Sequence, residues 1–341
     1  MKYGITADLQ FDEYARLSTL SEQGVTTRLL DLIACFRWIV QTCVDQGCKG
    51  LIVAGDVFES RTSIDVSVLD LVCREFASAS KALDEIIVVP GNHDCHLKTP
   101  GINSLQVLRG LVRVIEQPTV FGPFALLPWS AHEEDYAAGV KKLLKDPKVK
   151  AAKYLVTHAM IEGAGYPGKC ISVDVFKPSK WKRILLGDVH CPMQFTLDGW
   201  KGDLRYVGAP MQLDFGDAGE WRGFCILDTT TDALDLIENE ISPRFYKATD
   251  PDDLTDVRDI DFVDVRGDDP VKVMQVLKQA QEVAAWVGGS AVVEDETKPR
   301  IQATTSTKRA EVLKRYCQYR GVKNTAEMVA LGIELLQEAE E

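Results

Sequence analysis

Asp8-Leu9-Gln10, Gly55-Asp56, Gly91-Asn92-His93-Asp94, a lone His158 and Gly187-Asp188-Val189-His190 are the residues of this chain whose types suit chemistry. Carboxylate, amide and imidazole groups in such number are ligands for divalent cations. Two such ions, about 3.5 to 4 Å apart, answer both difficulties of cleaving a phosphodiester: they lower the pKa of a water and neutralise charge on the phosphoryl oxygens. A carboxylate that bridges the ions is then needed, with further ligands for each and an acid near the leaving oxygen. Asp56 is the natural bridge.

Taken singly, the segments have plainer readings. Asp-x-Gln after a strand is an ordinary turn or helix cap, and Gly-Asp after Leu-Ile-Val-Ala is an ordinary strand-ending turn. Gly-Asn-His-Asp directly after the apolar residues 86–90 is costly to tuck into a core unless its polar groups are satisfied. The chain holds five histidines, and His93, His158 and His190 all fall on these segments. His96 reads equally as a substrate contact or a plain loop residue, and His132 as an exposed loop residue with no role.

The elements that must position these residues are legible from periodicity. Each segment follows an apolar β-type run, at 3–7, 51–54, 86–90, 154–157 and 184–186, and therefore sits at the carboxyl end of a buried strand, where α/β sheets gather ligand sites. Leu32, Phe36, Ile39, Val40 and Cys43 recur at helical spacing, with Gln46-Gly47 as the stop. A second helix over 64–79 precedes the strand at 86–89, which repeats the β-α-β unit. After about residue 190 the pattern becomes strand-turn-strand, and 205–207 and 224–227 suggest antiparallel strands.

A boundary falls at Ser242-Pro243, before an acidic, polar stretch. Beyond it a strand at 262–265, a helix over 270–284 and a strand at 291–293 read as a small α/β module. Two amphipathic helices close the chain, one with Ala310, Leu313, Tyr316 and Cys317 on one side, the other with Met328, Leu331, Leu335 and Leu336 and with Thr325 as its cap. Spacing alone leaves open whether these faces pack inward or await a partner.

Composition bounds the function. The chain has 341 residues and is 45% hydrophobic, enough for a sizeable core and more than one domain at roughly 100 to 200 residues each. Its nine cysteines include no Cys-x-x-Cys pair and are odd in number, which argues against a disulfide framework or structural zinc and for a reducing compartment. The amino terminus enters a strand at once, and no apolar run approaches the ~20 residues of a membrane span. The expectation is a soluble, cytoplasmic protein with no membrane association. A net charge of -12 speaks against unaided, tight DNA binding, which needs clustered Lys and Arg. Two basic segments, Lys177, Lys180, Lys182 and Arg183, and Lys308, Arg309, Lys314, Arg315 and Arg320, read as solvated surface charge.

The five segments, in their order and at their intervals, resemble the signature of calcineurin-like metallophosphoesterases. Residues 208–224, Gly-Ala-Pro-Met-Gln-Leu-Asp-Phe-Gly-Asp-Ala-Gly-Glu-Trp-Arg-Gly-Phe, narrow the resemblance to SbcD-type recombination and repair nucleases, including the short phage versions. It covers residues 1 to about 230 and reaches the tail only in layout. It implies an α/β fold, an αββα sandwich of two mixed sheets flanked by helices, in a nuclease domain over 1–242. A small α/β capping domain over 243–300, shaping access for DNA, and carboxyl-terminal helices over 301–341, docking an ATPase partner, are implied to follow.

The resemblance further implies that Asp8, Gln10, Asp56 and His190 hold one ion and Asp56, Asn92, His158 and Asp188 the other. A hydroxide bridging the two metals would attack in line, with His93 assisting the leaving group and Asp94 orienting it. Gln10 stands where a histidine is common, and Asp188 where the family usually has the first histidine of Gly-His-x-His. Both replacements present an oxygen, which tilts the expected pair of ions away from zinc toward Mn2+ first and Mg2+ second. The implied function is a DNA nuclease subunit, exonucleolytic on duplex and endonucleolytic on single strands, of an SbcCD-like recombination and repair complex. Its partners would be DNA, an SbcC-type SMC-like ATPase and a second copy of the chain. The alternatives are a small-substrate phosphatase or phosphodiesterase on the same core, and a metal-poor scaffold.

Overall fold

Strands buried on both sides dictate the architecture. Along β2 (Cys48–Ala54), Leu51 and Val53 join one apolar cluster while Ile52 and Ala54 join another, as period-two side chains must. β3 (Glu85–Val89), with Ile86 and Val88 against Ile87 and Val89, and β11 (Gly223–Asp228), with Phe224 and Ile226 against Cys225 and Leu227, divide the same way. That is why these runs are almost continuously hydrophobic. Full burial of each Leu, Ile, Val or Phe side chain among them contributes about 1.5 to 3 kcal/mol.

The computed structural model describes residues 1–98, 101–164, 170–176, 181–195, 202–291, 308–322 and 324–338. One six-stranded sheet has the order β12 (Leu234–Glu238), β11, β1 (Lys2–Thr6), β2, β3, β4 (Arg113–Val114). The other has the order β5 (Thr119–Phe121), β6 (Phe124–Leu127), β7 (Tyr154–His158), β8 (Arg183–Gly187), β10 (Asp203–Tyr206), β9 (Met193–Phe195). Both are mixed, with a parallel centre and antiparallel pairs at one or both edges. Tyr3, Ile5, Ile52 and Ile87 of the first pack with Phe124, Leu126, Val156 and Leu185 of the second. Helices α1 (Thr27–Asp45) and α2 (Val66–Ala82) cover the first sheet, and α3 (Glu133–Lys145) the second. The expected sandwich of two mixed sheets flanked by helices is the fold observed.

Local chemistry sets the helix starts. Thr26 accepts from Leu29 N to cap α1, and Asp65 accepts from Ser67 N to cap α2. The cap at Thr26 starts α1 one turn before Leu32, the first position periodicity picks out, and so brings Arg28 onto the helix. Arg28 is fully buried: its guanidinium donates to the carbonyls of Gln212 and Leu213 at 3.2 and 3.3 Å and to Asp31 at 3.3 Å. It also lies 5.2 Å from the ring centres of both Phe245 and Phe262.

Three expectations are corrected. Residues 205–207 and 224–227 do not pair with each other: β10 runs parallel to β8 and antiparallel to β9 in one sheet, whereas β11 runs antiparallel to β1 and β12 in the other. The turn-rich link between them crosses from sheet to sheet, which a reading of neighbouring runs cannot distinguish from a hairpin. The strand expected to begin at 291 begins earlier, since Ala291 belongs to β15 (Trp286–Ala291), whose Gly288-Gly289 interrupts the apolar pattern inside it; residues 292 and 293 lie outside the described residues. Thr325 is the first residue of the last helix rather than its cap, since the carbonyl of Asn324 accepts the first helical bond from Met328 N.

A third sheet has the order β13 (Phe245–Ala248), β14 (Phe262–Gly267), β15, with α4 (Pro270–Val283) between the last two strands in sequence. The chain falls into two units, residues 1–265 with 276–288, and residues 266–275 with 289–341. In the second unit, α5 (Arg309–Tyr319) and α6 (Thr325–Glu338) pack together, with Leu313 beside Gly332. Tyr316, Tyr319, Met328 and Leu331 remain exposed. Of the basic residues before and at the start of β8, Lys182 pairs with Asp232 and Arg183 with Asp203; Lys177 and Lys180 lie outside the described residues. Among the described residues no helix is long and apolar enough to cross a membrane.

Candidate metal centre

β1, β2 and β3 are parallel neighbours in one sheet, and β7 and β8 in the other. The chemistry-bearing segments follow their carboxyl ends. The loops after β1 and β2 continue in register beyond the sheet: Asp8 N donates to Gly55 O at 3.0 Å, Gln10 N to Asp56 O at 3.0 Å and Phe11 N to Val57 O at 2.8 Å. This short ladder fixes Asp8 and Gln10 beside Asp56.

Asp8, Asp56 and His158 are buried, and one ligand atom from each lies within 4.8 Å of the others. His158 Nε2 is 3.4 Å from Asp56 Oδ2, 3.6 Å from Asp188 Oδ1 and 3.1 Å from Asn92 Oδ1. Its Nδ1 donates to the carbonyl of Ala54 at 2.8 Å, which fixes the ring and leaves Nε2 facing the carboxylates, the arrangement found in metal-ligating histidines. Asp188 N donates to both carboxylate oxygens of Asp8 at 3.2 and 3.3 Å. His190 joins through Gln10, whose Nε2 is 2.9 Å from His190 Nε2.

Backbone geometry marks the same place. Asp8, Gln10, Asp56 and Asp188 have positive φ, at 52°, 45°, 54° and 99°, a region that side-chain-bearing residues seldom enter and that costs on the order of 1 to 3 kcal/mol each. Gly55 and Gly187 permit the close approach of the strands: a Cβ at Gly55 would stand 2.2 Å from His158 Nδ1, and one at Gly187 2.2 Å from the carbonyl of Ala54.

Charge is crowded here. Burial pushes the Asp8 carboxyl well above the usual range, and Asp56 and Asp188 push the same way while His158 opposes them. Burial would raise Asp56 too, but the cationic influence of His158 and His93 holds it below its ordinary value. For His158, burial alone would lower the pKa; Asp56 and Asp188 overcome it and lift the imidazole well above its usual value. Among the described residues, the ion pairs of Asp8, Asp56 and Asp188 are all with His158. Buried carboxylates with so little counter-charge are the donor set of a cation site.

Asp94 does not bond to the ring of His93 among the described contacts. Its carboxylate accepts four backbone N–H groups, from Asp56 and Gly91 at 2.9 Å, Val57 at 3.0 Å and Phe58 at 3.3 Å, and so ties the β2 and β3 turns together. Burial, reinforced by Asp56, nonetheless raises it to about 7 against those bonds. The partner of His93 is Glu59: Nδ1 donates to its carbonyl at 2.6 Å and lies 3.3 Å from its carboxylate. Nothing in the run Val57-Phe58-Glu59-Ser60 singles out Glu59, although its place three residues after Asp56 is a signal that could have found it. The His93 N–H meanwhile donates to Asp56 Oδ1 at 2.8 Å. His96 and His132 are exposed, the latter directly ahead of α3.

Comparison with known proteins identifies a family and several similar proteins. The family described as calcineurin-like phosphoesterase matches residues 1–192. Exonuclease subunit 1 of Enterobacteria phage T4 is 25% identical over 197 residues, 54% of this chain and 54% of that protein. The chain thus spans about half the length of the curated relative it matches. Among solved structures, TT1561 of Thermus thermophilus is similar at 13% identity and a TM-score of 0.42, covering 70% of this chain and 98% of that one. A dimetal phosphatase from Danio rerio is similar at 13% identity and a TM-score of 0.43, covering 66% and 91% respectively. With the family match spanning more than half of the 341 residues and its segments meeting at one buried cluster of ligands, the chain belongs to the calcineurin-like phosphoesterases, hydrolases that use divalent metal ions to cleave phosphoester bonds.

Proposed function

We propose that this chain is the two-metal nuclease subunit of an SbcCD-like recombination and repair complex, cutting duplex DNA exonucleolytically and single strands endonucleolytically. The observation that carries the metal part is the fully buried pair Asp8 and Asp56, whose ion pairs among the described residues are all with His158. The substrate part draws support from the similarity to the phage T4 exonuclease subunit over half of each chain.

In this reading Asp8, Gln10, Asp56 and His190 hold one ion and Asp56, Asn92, His158 and Asp188 the other, with Mn2+ preferred to Mg2+. Ions bound there lower the pKa of a water and offset charge on the phosphoryl oxygens. The chain's own residues do the rest. His158 is held by the Ala54 carbonyl with Nε2 presented to the centre, Asp94 fixes the backbone that carries Asp56 and Asn92, and Glu59 holds the Nδ1 side of His93. His93 is then set to stabilise or protonate the leaving oxygen.

Residues 243–300 would cap the centre and shape the approach of DNA, and residues 301–341 would dock an SbcC-type ATPase, whose surface would cover Tyr316, Tyr319, Met328 and Leu331. A homodimer within that complex, in the cytoplasm, completes the proposal. The acidic net charge of -12 fits a subunit that relies on partner and metals for its attraction to DNA.

That same charge favours the second reading, hydrolysis of a small phosphoester. Purified chain, with and without the ATPase and ATP, on end-labelled duplex and circular single strands across Mn2+, Mg2+ and Zn2+, separates the two. Cleavage of DNA supports the nuclease; hydrolysis of a small chromogenic diester with DNA left intact supports the phosphodiesterase.

A further inference from the structure

We infer that Tyr136, on the helix that covers the second sheet, is a positioning residue for the metal centre: acting through His158, its hydroxyl sets how tightly the centre holds an ion. This rests on the metal reading above. Tyr136 belongs to α3 and is fully buried. Its hydroxyl donates to the carbonyl of His158 at 2.6 Å and accepts from Ser130 N at 3.2 Å. One oxygen thus joins the end of β7 to the loop after β6.

The chain itself creates the need for this bond. β6 stops at Leu127, opposite Thr157 of β7. Pro128, next in line, has no N–H with which to extend the ladder, and Trp129 N turns instead to the carbonyl of Pro90 at 3.1 Å. A buried carbonyl without a donor is costly, and the Tyr136 hydroxyl supplies one to His158. The Trp129 bond has a second effect, because Pro90 directly precedes the turn that carries Asn92. Tyr136 therefore ties His158 to the same loop that holds the Asn92 turn, and the two side chains meet with His158 Nε2 3.1 Å from Asn92 Oδ1. Both stand in the set proposed for one ion. Ligand distances at such a site are held to within about 0.2 Å, so a small backbone shift at His158 reaches the ion. Tyr206 offers a matched comparison: it is equally buried, and its hydroxyl donates to the carbonyl of Ala159 at 2.9 Å and accepts from Ile161 N at 2.9 Å. Its bonds fall beyond the ligand rather than on it.

The test is calorimetric titration of Mn2+ into wild type, Tyr136→Phe and Tyr206→Phe. Each variant keeps its ring and loses one oxygen with two hydrogen bonds, and thermal melts report folding. A merely structural role lowers stability in both and leaves metal affinity alone. We expect affinity to fall about tenfold or more in Tyr136→Phe and less than about threefold in Tyr206→Phe. In a His158→Gln background the loss from Tyr136→Phe shrinks, since it acts through that ligand. Unchanged affinity in a folded Tyr136→Phe, an equal fall in Tyr206→Phe, or an undiminished loss without His158 overturns the inference and leaves the metal reading intact. If Tyr136→Phe does not fold, hydrogen exchange in wild type decides: an ion linked to this bond slows exchange of the Ser130 amide more than that of the Ile161 amide, and equal slowing overturns the inference. Wild type that binds no Mn2+, or binds it as well after Asp56→Asn, overturns the metal reading and the inference with it.

Discussion

The side-chain nitrogen of Gln10 lies 2.9 Å from Nε2 of His190, joining the loop after β1 to the loop after β8 across 180 residues of sequence. A contact of this kind lets Gln10 position the imidazole while presenting an amide in place of a second ring. The double variant Gln10→His, Asp188→His therefore gains zinc affinity relative to manganese by about tenfold or more, since imidazole suits Zn2+ better than an amide or carboxylate does. Calorimetric titration of both metals into wild type and variant measures the ratio, and a zinc-to-manganese affinity ratio in wild type as high as in the two-histidine variant would contradict the assignment.

Asp56→Asn removes the carboxylate proposed to serve both ions. Hydrolysis of bis-p-nitrophenyl phosphate then falls at least about a hundredfold, because several kcal/mol of charge stabilisation are lost and each 1.36 kcal/mol is tenfold in rate. Circular dichroism should show the fold retained. Wild-type rates in a folded variant would remove Asp56 from the chemistry.

Glu59 is the group in contact with His93 Nδ1. Glu59→Gln removes its charge but leaves the backbone acceptor, and Glu59→Ala removes the side chain altogether. We expect kcat to fall roughly ten- to a hundredfold in the alanine variant, and less in the glutamine one, with little change in KM. A loss confined to KM would assign Glu59 to substrate binding instead.

Metal binding should release protons. The carboxylates lift His158 well above its usual pKa and burial likewise raises Asp8, so in the free site both groups hold their protons to higher pH than they would in water. A cation must displace these protons, so affinity falls as pH is lowered through them and rises as pH increases. Calorimetry in buffers of different ionisation enthalpy counts the protons; the same heat in every buffer would rule the coupling out.

Arg28→Met leaves Asp31, raised mainly by burial to about 6, without its cation, and strips hydrogen bonds from the Gln212 and Leu213 carbonyls. A loss of about 3 kcal/mol in stability is expected at pH 8. Losing Arg28 can only raise Asp31 further, so protonation neutralises the orphan at pH 5 and the loss shrinks there. Urea unfolding at the two pH values checks both size and direction.

Much of the site was legible because its signals are local. A run such as Leu51 to Ala54 followed by Gly55-Asp56 reads as strand then turn without knowledge of the rest of the chain, and both faces of such runs are apolar because both are covered. Order and spacing of the segments then picked out the superfamily. Glu59 escaped notice because an acidic residue after a strand-ending turn is ordinary until the fold sets it against His93. The resemblance implies that Asp94 orients His93; that its carboxylate also gathers four backbone N–H groups from two loops is visible only in the fold.

By itself the sequence determined which residues end the buried strands, that oxygen and imidazole ligands collect there, and where helices cover the sheets, since hydrophobic period and turn chemistry are properties of short segments. Tertiary structure decided that β10 and β11 part into different sheets, that Gln10 meets His190, and that Arg28 is buried against the rings of Phe245 and Phe262 rather than solvated. Those outcomes depend on packing between segments tens to hundreds of residues apart, where burial and hydrogen-bond satisfaction, not local periodicity, choose among the partners the chain offers.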